Sequence, residues 1–555
     1  MASALKRFST DDEERELGFG ERMKLCCKFH WRGWVIFLTP LIFLPICFKT
    51  PRAAFKCLYV ILIMAVYWIT ECIPAAGTAM IPIAFFPLLG IMDNKPVCMA
   101  YLKDSTMWFF ASYIVSLGLQ HSLLSNRIGL WMLSKSSQSP KAILLIFMIF
   151  TAILSMWIPN AGAAAIASVI LRALLDDMAG QGSLKVITDE EVKFETHPPF
   201  PSKIAIGLFM GVAYAASIGG ATTLIGTDTN IMFVGVYEST FPESDDINFV
   251  NFLIISLLPF ILNLIFTYVW LMLIYTGGDD VKAATTPEAA AAFKNSVKNK
   301  QTENGSMSCH EFQVLVLIII WIVATITRKP GFMAGWAEIL NKKQILLSVP
   351  VMLIVALLFM IPVNYSFFKY CLCKRPNPEG TLASLMTWKV VHSQLPWGMF
   401  LVVGSAFAIC EAMKSSGLSV QIYNLYAKFG DMPQAMAQGV CIVVAVIFTS
   451  VTANSGMGAI LMPTIAQLSQ TIDCHPLYIM LPTTIAQSMA FHLPASSPPN
   501  AIAAGYGNVR AKEMMLAGIG PTIITIITTF IAAQVVAPMF IENYTSYLKF
   551  SADHI

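Results

Sequence analysis

Charge is what this chain has little of. Lys, Arg, Asp and Glu make up 12% of its 555 residues, about half of the roughly 25% usual in soluble proteins. So long a chain with so few charges is not intrinsically disordered, and it does not have the composition of a soluble enzyme. The net charge of +3 comes without a basic tract long enough to suggest a nucleic-acid partner, and none is expected. Twelve cysteines, mostly inside apolar runs, make no disulfide framework. No Walker loop, His-Glu zinc motif or nucleophile elbow occurs, so ATP-driven pumping and hydrolysis have no basis, and no cofactor is expected. What the chain does have is apolar surface. Hydrophobic residues reach 56% and mean hydropathy is +0.66, the composition of an all-α polytopic membrane protein.

Apolar runs recur from Trp34–Phe48 to Met515–Val536. Many approach the roughly 20 residues a spanning helix needs, and several are too short or too broken to cross independently. Arg22, Lys24, Lys28 and Arg32 precede the first run, which puts the N-terminus in the cytosol. Residues 1–30 are therefore expected to form a cytosolic tail without the layout of a cleavable signal peptide. The Gly277–Met307 stretch, rich in Lys, Asp, Glu and Asn, reads as a polar cytosolic loop over 276–310, and Arg172–Pro201 as a second solvated loop. Asn543-Tyr544-Thr545 is a glycosylation sequon; in use, it places the 542–555 tail outside the cell and requires an odd number of spans. The sequon at Asn304 falls in the loop assigned to the cytosol, so one of the two is expected to be silent.

Two regions repeat. Ser155-Met156-Trp157-Ile158-Pro159-Asn160-Ala161-Gly162 interrupts one apolar stretch, and Thr449-Ser450-Val451-Thr452-Ala453-Asn454-Ser455-Gly456 interrupts another. Each break centres on an Asn among small residues. Each stretch has the wrong length for one span and fits a re-entrant hairpin, near 140–178 in a first repeat (31–275) and near 433–472 in a second (311–541). A second break follows each hairpin. The first runs from Gly219 through Gly226, Thr227 and Asp228 to Asn230, in a broken helix near 204–240. The other runs from Ser488 through Pro494, Ser496, Ser497 and Pro498 to Asn500, in a broken helix near 477–510. Irregular backbone at membrane depth must be buried or line a wet cavity. Interrupted segments at matching positions in two halves point to the binding site of a secondary transporter. Broken ends expose N–H groups that suit an anion and carbonyls that suit a small cation.

At this point the chain resembles the divalent anion:sodium symporter family, the INDY-like carriers of citrate and dicarboxylates, and its animal branch most closely. The likeness runs from Trp31 to about Pro538. Its most specific stretch is Ser488-x-x-Phe491-x-x-Pro494-x-Ser496-x-x-x-Asn500, with Ala495 and Ala503 in place of larger aliphatics. Tyr67-Trp68-Ile69-Thr70-Glu71, Thr327-Arg328-Lys329-Pro330-Gly331, His475-Pro476-Leu477-Tyr478 and Gly518-Ile519-Gly520-Pro521-Thr522 are also family-like. The resemblance implies a homodimer in the plasma membrane, with about eleven transmembrane helices, two re-entrant hairpins in an inverted repeat, and scaffold and transport domains working as an elevator.

It also implies site roles. The family's hairpin tips read close to Ser-Asn-Thr. Asn160, Asn454, Ser455, Thr227, Ser497 and Pro498 match positions that hold substrate. Ser155, Asn160 and Gly226 match one sodium site, and Thr449, Thr452, Asn454 and Ser496 the other. The chain departs from the pattern at Pro159 and Ala453, where Ser is expected, and at Ala161, where Thr is expected. Each loss removes a hydroxyl from a substrate or sodium shell. Asp228 is a further departure: it is a candidate for proton coupling or for replacing a lost sodium, weighed against a cap on the following half-helix.

Other polar residues carry less. Glu411 and Lys414 are spaced for an i,i+3 pair near the membrane boundary, and His492 reads as a hydrogen-bonded structural histidine. The sequence thus points to a secondary transporter of succinate, citrate and related carboxylates, sodium-coupled, in contact with membrane lipid. The alternatives are the same fold carrying another anion such as sulfate, exchange or proton coupling without sodium, and a transport-dead regulatory membrane protein.

Overall fold

Even where they contain proline, as at Pro40, Pro45 and Pro259, apolar runs become long helices in the computed structural model of the chain. It describes residues 29–49, 52–70, 72–135, 139–180, 201–241, 246–276, 287–328, 334–340, 345–365, 372, 382–418, 420–421, 433–451, 453–469, 474–541 and 544–545. Glu71, Thr452 and Asn543 lie outside that set. Among the described residues all regular elements are helical, apart from one isolated bridge between Pro362 and Ser384.

The first half runs α1 (Trp31–Lys49), α2 (Ala53–Thr70), three short helices, α3 (Asp104–His121) and α4 (Leu124–Ser134). It continues with α5 (Pro140–Ser155), α6 (Asn160–Gly180), α7 (Lys203–Ala221), α8 (Asp228–Thr240) and α9 (Phe249–Tyr275). The second half holds α10 (Pro287–Glu303), α11 (Cys309–Arg328), α12 (Ser348–Met360), α13 (Trp397–Ser415), α14 (Gln434–Val451) and α15 (Asn454–Ser469). Then come α16 (Pro476–Ser488), a 3-10 turn (Pro494–Ser496), α17 (Pro498–Gly507) and α18 (Ile519–Val535), with short helices at Ala511–Ala517 and Ala537–Phe540 before and after α18.

Six helical segments among the described residues are long and apolar enough to cross a membrane: α2, α7, α9, α11, α13 and Ile519–Phe540. The outer faces of α9 and α11 leave Ile261, Ile265, Leu273, Ile319 and Val323 exposed. Uncovered in water these stripes would promote aggregation; in a bilayer they meet acyl chains. α7 is the opposite case, buried from Ile204 to Ala221.

Each broken segment is a helix, a short irregular stretch and a second helix. α5 has 16 residues, a length of about 24 Å, short of the roughly 30 Å hydrocarbon core. It stops at Ser155, and α6 starts at Asn160 and packs back against it. α14 and α15 repeat the arrangement about Ala453 and Asn454. Packing then crosses between halves. The first arms lie on their own repeat, α5 on α7 and α14 on α16. The second arms also lie on the other repeat, α6 on α17 and α15 on α8.

Three expectations need correction. The polar stretch 276–310 contains α10, whose Phe293 and Val297 are one turn apart and buried. This helix packs on α4 and α6, and Lys300 pairs with Asp177 at 2.9 Å. The segment from Arg172 continues α6 to Gly180 rather than starting a loop, with Leu174, Leu175 and Met178 buried and Arg172 paired with Asp176 at 3.1 Å. In both places high charge conceals a 3.6-residue apolar period. Lastly, Glu411 does not pair with Lys414. It binds Lys103 at 2.9 Å, while Lys414 donates to the Ser239 carbonyl. Lys103, at the cap before α3, and Ser239, near the end of α8, supply these partners from other elements.

Candidate functional site

The two hairpin tips are built alike. At the start of α6 the Asn160 Oδ1 accepts the Ala161 N–H at 2.8 Å, and at the start of α15 the Asn454 Oδ1 accepts the Ser455 N–H at 2.9 Å. Fixing the oxygen back onto the helix turns each Nδ2 outward. The Asn160 Nδ2 donates to the Thr227 hydroxyl at 3.4 Å, and the Asn454 Nδ2 is buried without a partner. Asn160 and Asn454 are both buried, with Ala161 and Ala453 half-buried beside them.

The broken helices bring two further N-termini. Thr227 caps α8 and Ser497 caps α17, each in extended backbone and neither using its hydroxyl as a cap. A helix start normally consumes a side-chain oxygen in this way. Here the Ser497 hydroxyl is buried and unpartnered, while Thr227 faces Asn160. Pro498 follows at the first turn of α17, where its missing N–H is harmless. Ser455, at the second tip, approaches the carboxyl of Asp228. Thr229, next in α8, lies against the α15 backbone, where a Cβ on Gly458 would sit 3.2 Å from its methyl. The Thr227–Asp228 corner therefore lies between the two tips. The N-termini of α6, α8 and α15 carry positive dipole ends toward this region, with the Ala161, Thr229 and Ser455 N–H groups held by Asn160, Asp228 and Asn454.

Two asparagines whose roles the sequence does not reveal hold the breaks in shape. Asn230 Nδ2 donates to the carbonyls of Gly220, Ala221 and Thr223, at 3.4, 3.2 and 2.7 Å. Asn500 Nδ2 donates to the carbonyls of Ala490 and Leu493 and to the Ser496 hydroxyl, at 3.0, 3.1 and 3.2 Å. Each amide replaces helix hydrogen bonds that the break has lost. Asn230 also accepts the Ser488 hydroxyl at 3.0 Å, joining the halves. The visible signal was that both motifs end in Asn. Asn230→Ala and Asn500→Ala strand buried carbonyls, at about 1–3 kcal/mol for an unsatisfied group. Each is expected to lower the thermal unfolding midpoint of the purified protein, while an exposed-site Asn→Ala change does not.

Oxygens crowd one side of the first tip. The Gly226 carbonyl accepts the Asn160 N–H at 2.9 Å, and the Ser155 hydroxyl donates to the Ala216 carbonyl at 2.6 Å. A Cβ on Gly226 would stand 2.5 Å from the Gly220 oxygen and 2.6 Å from the Ser155 carbonyl oxygen. A Cβ on Gly220 would meet the Gly226 oxygen at 2.9 Å and the Ser155 Oγ at 3.1 Å. Several oxygens close to two glycines, beside the Gly220 Cα and the Asn160 Cβ, are the donor type that suits a small hard cation. Gly220 belongs to this group without having been singled out from the sequence. On the other side, Thr449 is buried and donates to the Ala445 carbonyl at 2.9 Å. Its helix α14 packs on the Pro494–Ser496 turn, where Ser496 donates to the Leu493 carbonyl at 2.7 Å. Asn454 gives its own carbonyl to Gln487 at 3.2 Å, and Thr452 lies outside the described residues.

Asp228 does not hold the N-cap position, which belongs to Thr227. It is the first residue of α8 and is 4% exposed. Its Oδ1 accepts the Thr229 N–H at 3.0 Å and the Thr227 hydroxyl at 3.1 Å, and its Oδ2 has no hydrogen-bond partner. His492 is tied to the Met515 carbonyl and the Thr522 hydroxyl, at 3.1 and 3.0 Å, as a structural histidine.

Apolar helices interrupted at matching places, with their broken ends gathered around buried polar groups, are the architecture of a secondary transporter. Residues 30–541 match the family described as the sodium:sulfate symporter transmembrane region. The chain belongs to this divalent anion:sodium symporter family, in its animal branch, and is a multi-pass membrane transporter rather than an enzyme. The Drosophila melanogaster protein called I'm not dead yet is 37% identical over 558 residues, spanning 97% of this chain and 95% of that one. The Rattus norvegicus Na(+)/citrate cotransporter is 30% identical over 536 residues, 90% of this chain and 93% of that one. The Homo sapiens Na(+)/dicarboxylate cotransporter 3 is 30% identical over 537 residues, 87% and 88% of the two chains.

Proposed function

We propose that the chain carries di- and tricarboxylates, succinate and citrate among them, with sodium as the coupling ion. The observation that carries this reading is the matched pair of tip asparagines, each with its oxygen turned back and its amide donor turned outward among helix N-termini. A carboxylate placed there accepts from the Asn160 and Asn454 amides and from the hydroxyls of Ser455, Thr227 and Ser497. Pro498 closes one wall. Sodium suits the Ser155–Asn160–Gly226 oxygens on one side and Thr449, Thr452, Asn454 and Ser496 on the other. The names of the rat and human relatives support both the solute class and the ion.

In this reading about eleven helices span the plasma membrane. The N-terminus is cytosolic and the C-terminus, glycosylated at Asn543, is extracellular. Two protomers dimerise through scaffold helices. The hairpins and broken helices of residues 31–275 and 311–541 move together as the elevator.

Uptake of labelled citrate, succinate and sulfate into cells, with sodium replaced by choline, tests the reading. Sodium-dependent carboxylate uptake at least several-fold over mock cells is expected, with little sulfate uptake. Sulfate uptake without carboxylate uptake would reassign the solute, a change for which the missing hydroxyls at Pro159, Ala161 and Ala453 leave room.

A further inference from the structure

Asp228 is the one described feature of the candidate site that a carboxylate carrier should not tolerate as it stands. Its side chain is 4% exposed, and its Oδ2 has no hydrogen-bond partner. It forms no ion pair among the described residues. It lies at the corner between the two tips, joined through Thr227 to Asn160 and approached by Ser455. A dianion bound by the two asparagines would sit beside this carboxyl and be repelled by it.

Among the described residues no neighbouring cation relieves the repulsion. α15 supplies no ionisable side chain, and α16 carries only Tyr478, ten residues before the Ser488 end that meets Asn230. From α3, Tyr113 stands within electrostatic range of Asp228 and is itself an acid. On α13, Lys414 and Glu411 belong to the opposite end of α8, where Lys414 reaches the Ser239 carbonyl. Glu238 on α8 itself is also near that far end. At the same time the tips have lost oxygen ligands at Pro159 and Ala453. The pocket therefore has one anionic ligand too many for a bare dianion and fewer neutral ligands for a cation.

We propose that Asp228 is the ligand for a single positive charge that enters the pocket together with the carboxylate solute. Two sources have this chemistry: a sodium ion, or an ammonium group on the solute itself. The Oδ2 atom, unpartnered and buried, is the acceptor. The inference rests on the carboxylate reading above and adds to it a residue that sets the charge of what is bound.

The test uses the full chain, purified in detergent and reconstituted in liposomes, as wild type, Asp228→Asn and Asp228→Glu. The ligands are succinate and aspartate, which share a skeleton and differ by one ammonium group, each in sodium chloride and in choline chloride. Thermal unfolding midpoints report binding and radiolabel uptake reports transport. If sodium is the source, succinate stabilises and enters the wild type only with sodium. Asp228→Asn then needs at least about tenfold more sodium for half-maximal stabilisation, and Asp228→Glu stays close to wild type. If the ammonium is the source, aspartate stabilises the wild type in choline, succinate does not, and Asp228→Asn loses about tenfold or more in aspartate affinity. An Asn variant silent with every ligand beside a responsive Glu variant also supports the charge requirement.

Equal binding of succinate by wild type and Asp228→Asn in both salts, with aspartate no better, overturns the inference, as a proton-neutralised Asp228 would predict. Silence of both variants overturns it as well, by making the position purely structural. Silence of the wild type with every carboxylate in both salts removes the carboxylate reading first.

Discussion

Replacing Asn160 or Asn454 with alanine is expected to weaken apparent solute affinity roughly 10- to 150-fold at unchanged surface expression. A hydrogen bond to a charged group contributes about 1.5–3 kcal/mol, and each variant loses at least one such donor. The double variant is expected to show no measurable uptake. Aspartate at either position keeps an oxygen that can accept the Ala161 or Ser455 N–H but replaces the outward amide donor with a carboxylate oxygen that repels the solute. Asn160→Asp and Asn454→Asp should lose more affinity than the alanine variants, because charge repulsion adds to the lost donor. Concentration-dependent uptake normalised to surface biotinylation measures both. Unchanged transport in Asn160→Ala and Asn454→Ala would remove the tips from the solute site.

The second large effect is expected at Gly219. A Cβ there would lie 2.2 Å from the Ala152 carbonyl oxygen and 2.7 Å from the Ala152 Cα. Both are backbone atoms and cannot swing aside. Overpacking usually destabilises by about 1–3 kcal/mol because side chains absorb part of the strain. At Gly219 nothing flexible absorbs it, so α5 must separate from α7 and take the first tip with it. Gly219→Ala is expected to abolish surface expression or, if the protein is exported, to abolish uptake. Gly505→Ala is the control. A Cβ at Gly505 meets nothing within 4 Å, and alanine is the better helix former. Normal uptake and stability in Gly219→Ala would show that α5 and α7 are not in this close contact.

Much of the frame was legible because membrane burial leaves a coarse signal. Asparagine flanked by small residues inside a long apolar run has few explanations, and both breaks fall where that pattern put them, at Asn160 and Asn454. The repeated order of breaks was enough to anticipate helix pairs and half-helices. The pins Asn230 and Asn500 were visible as letters but not as roles, since their acceptors are mainly backbone carbonyls up to ten residues earlier. Backbone acceptors carry no residue code. The Lys103–Glu411 pair was illegible for another reason: its members are 308 residues apart, and a local Lys414 offered a simpler partner. α10 was missed because a count of charges outweighed the spacing of Phe293 and Val297.

The exchange of second arms between halves bears on how the molecule is made. When the ribosome has released α9, the faces of α6 and α8 that will receive α17 and α15 are still bare. The nascent first half cannot finish folding by itself, and its polar corner at Thr227 and Asp228 waits in the translocation machinery's surroundings until nearly the whole polypeptide has emerged. Quality control at the membrane thus sees an open, half-built carrier over a long part of synthesis, and a truncation before Pro498 leaves the seam on α6 unclosed.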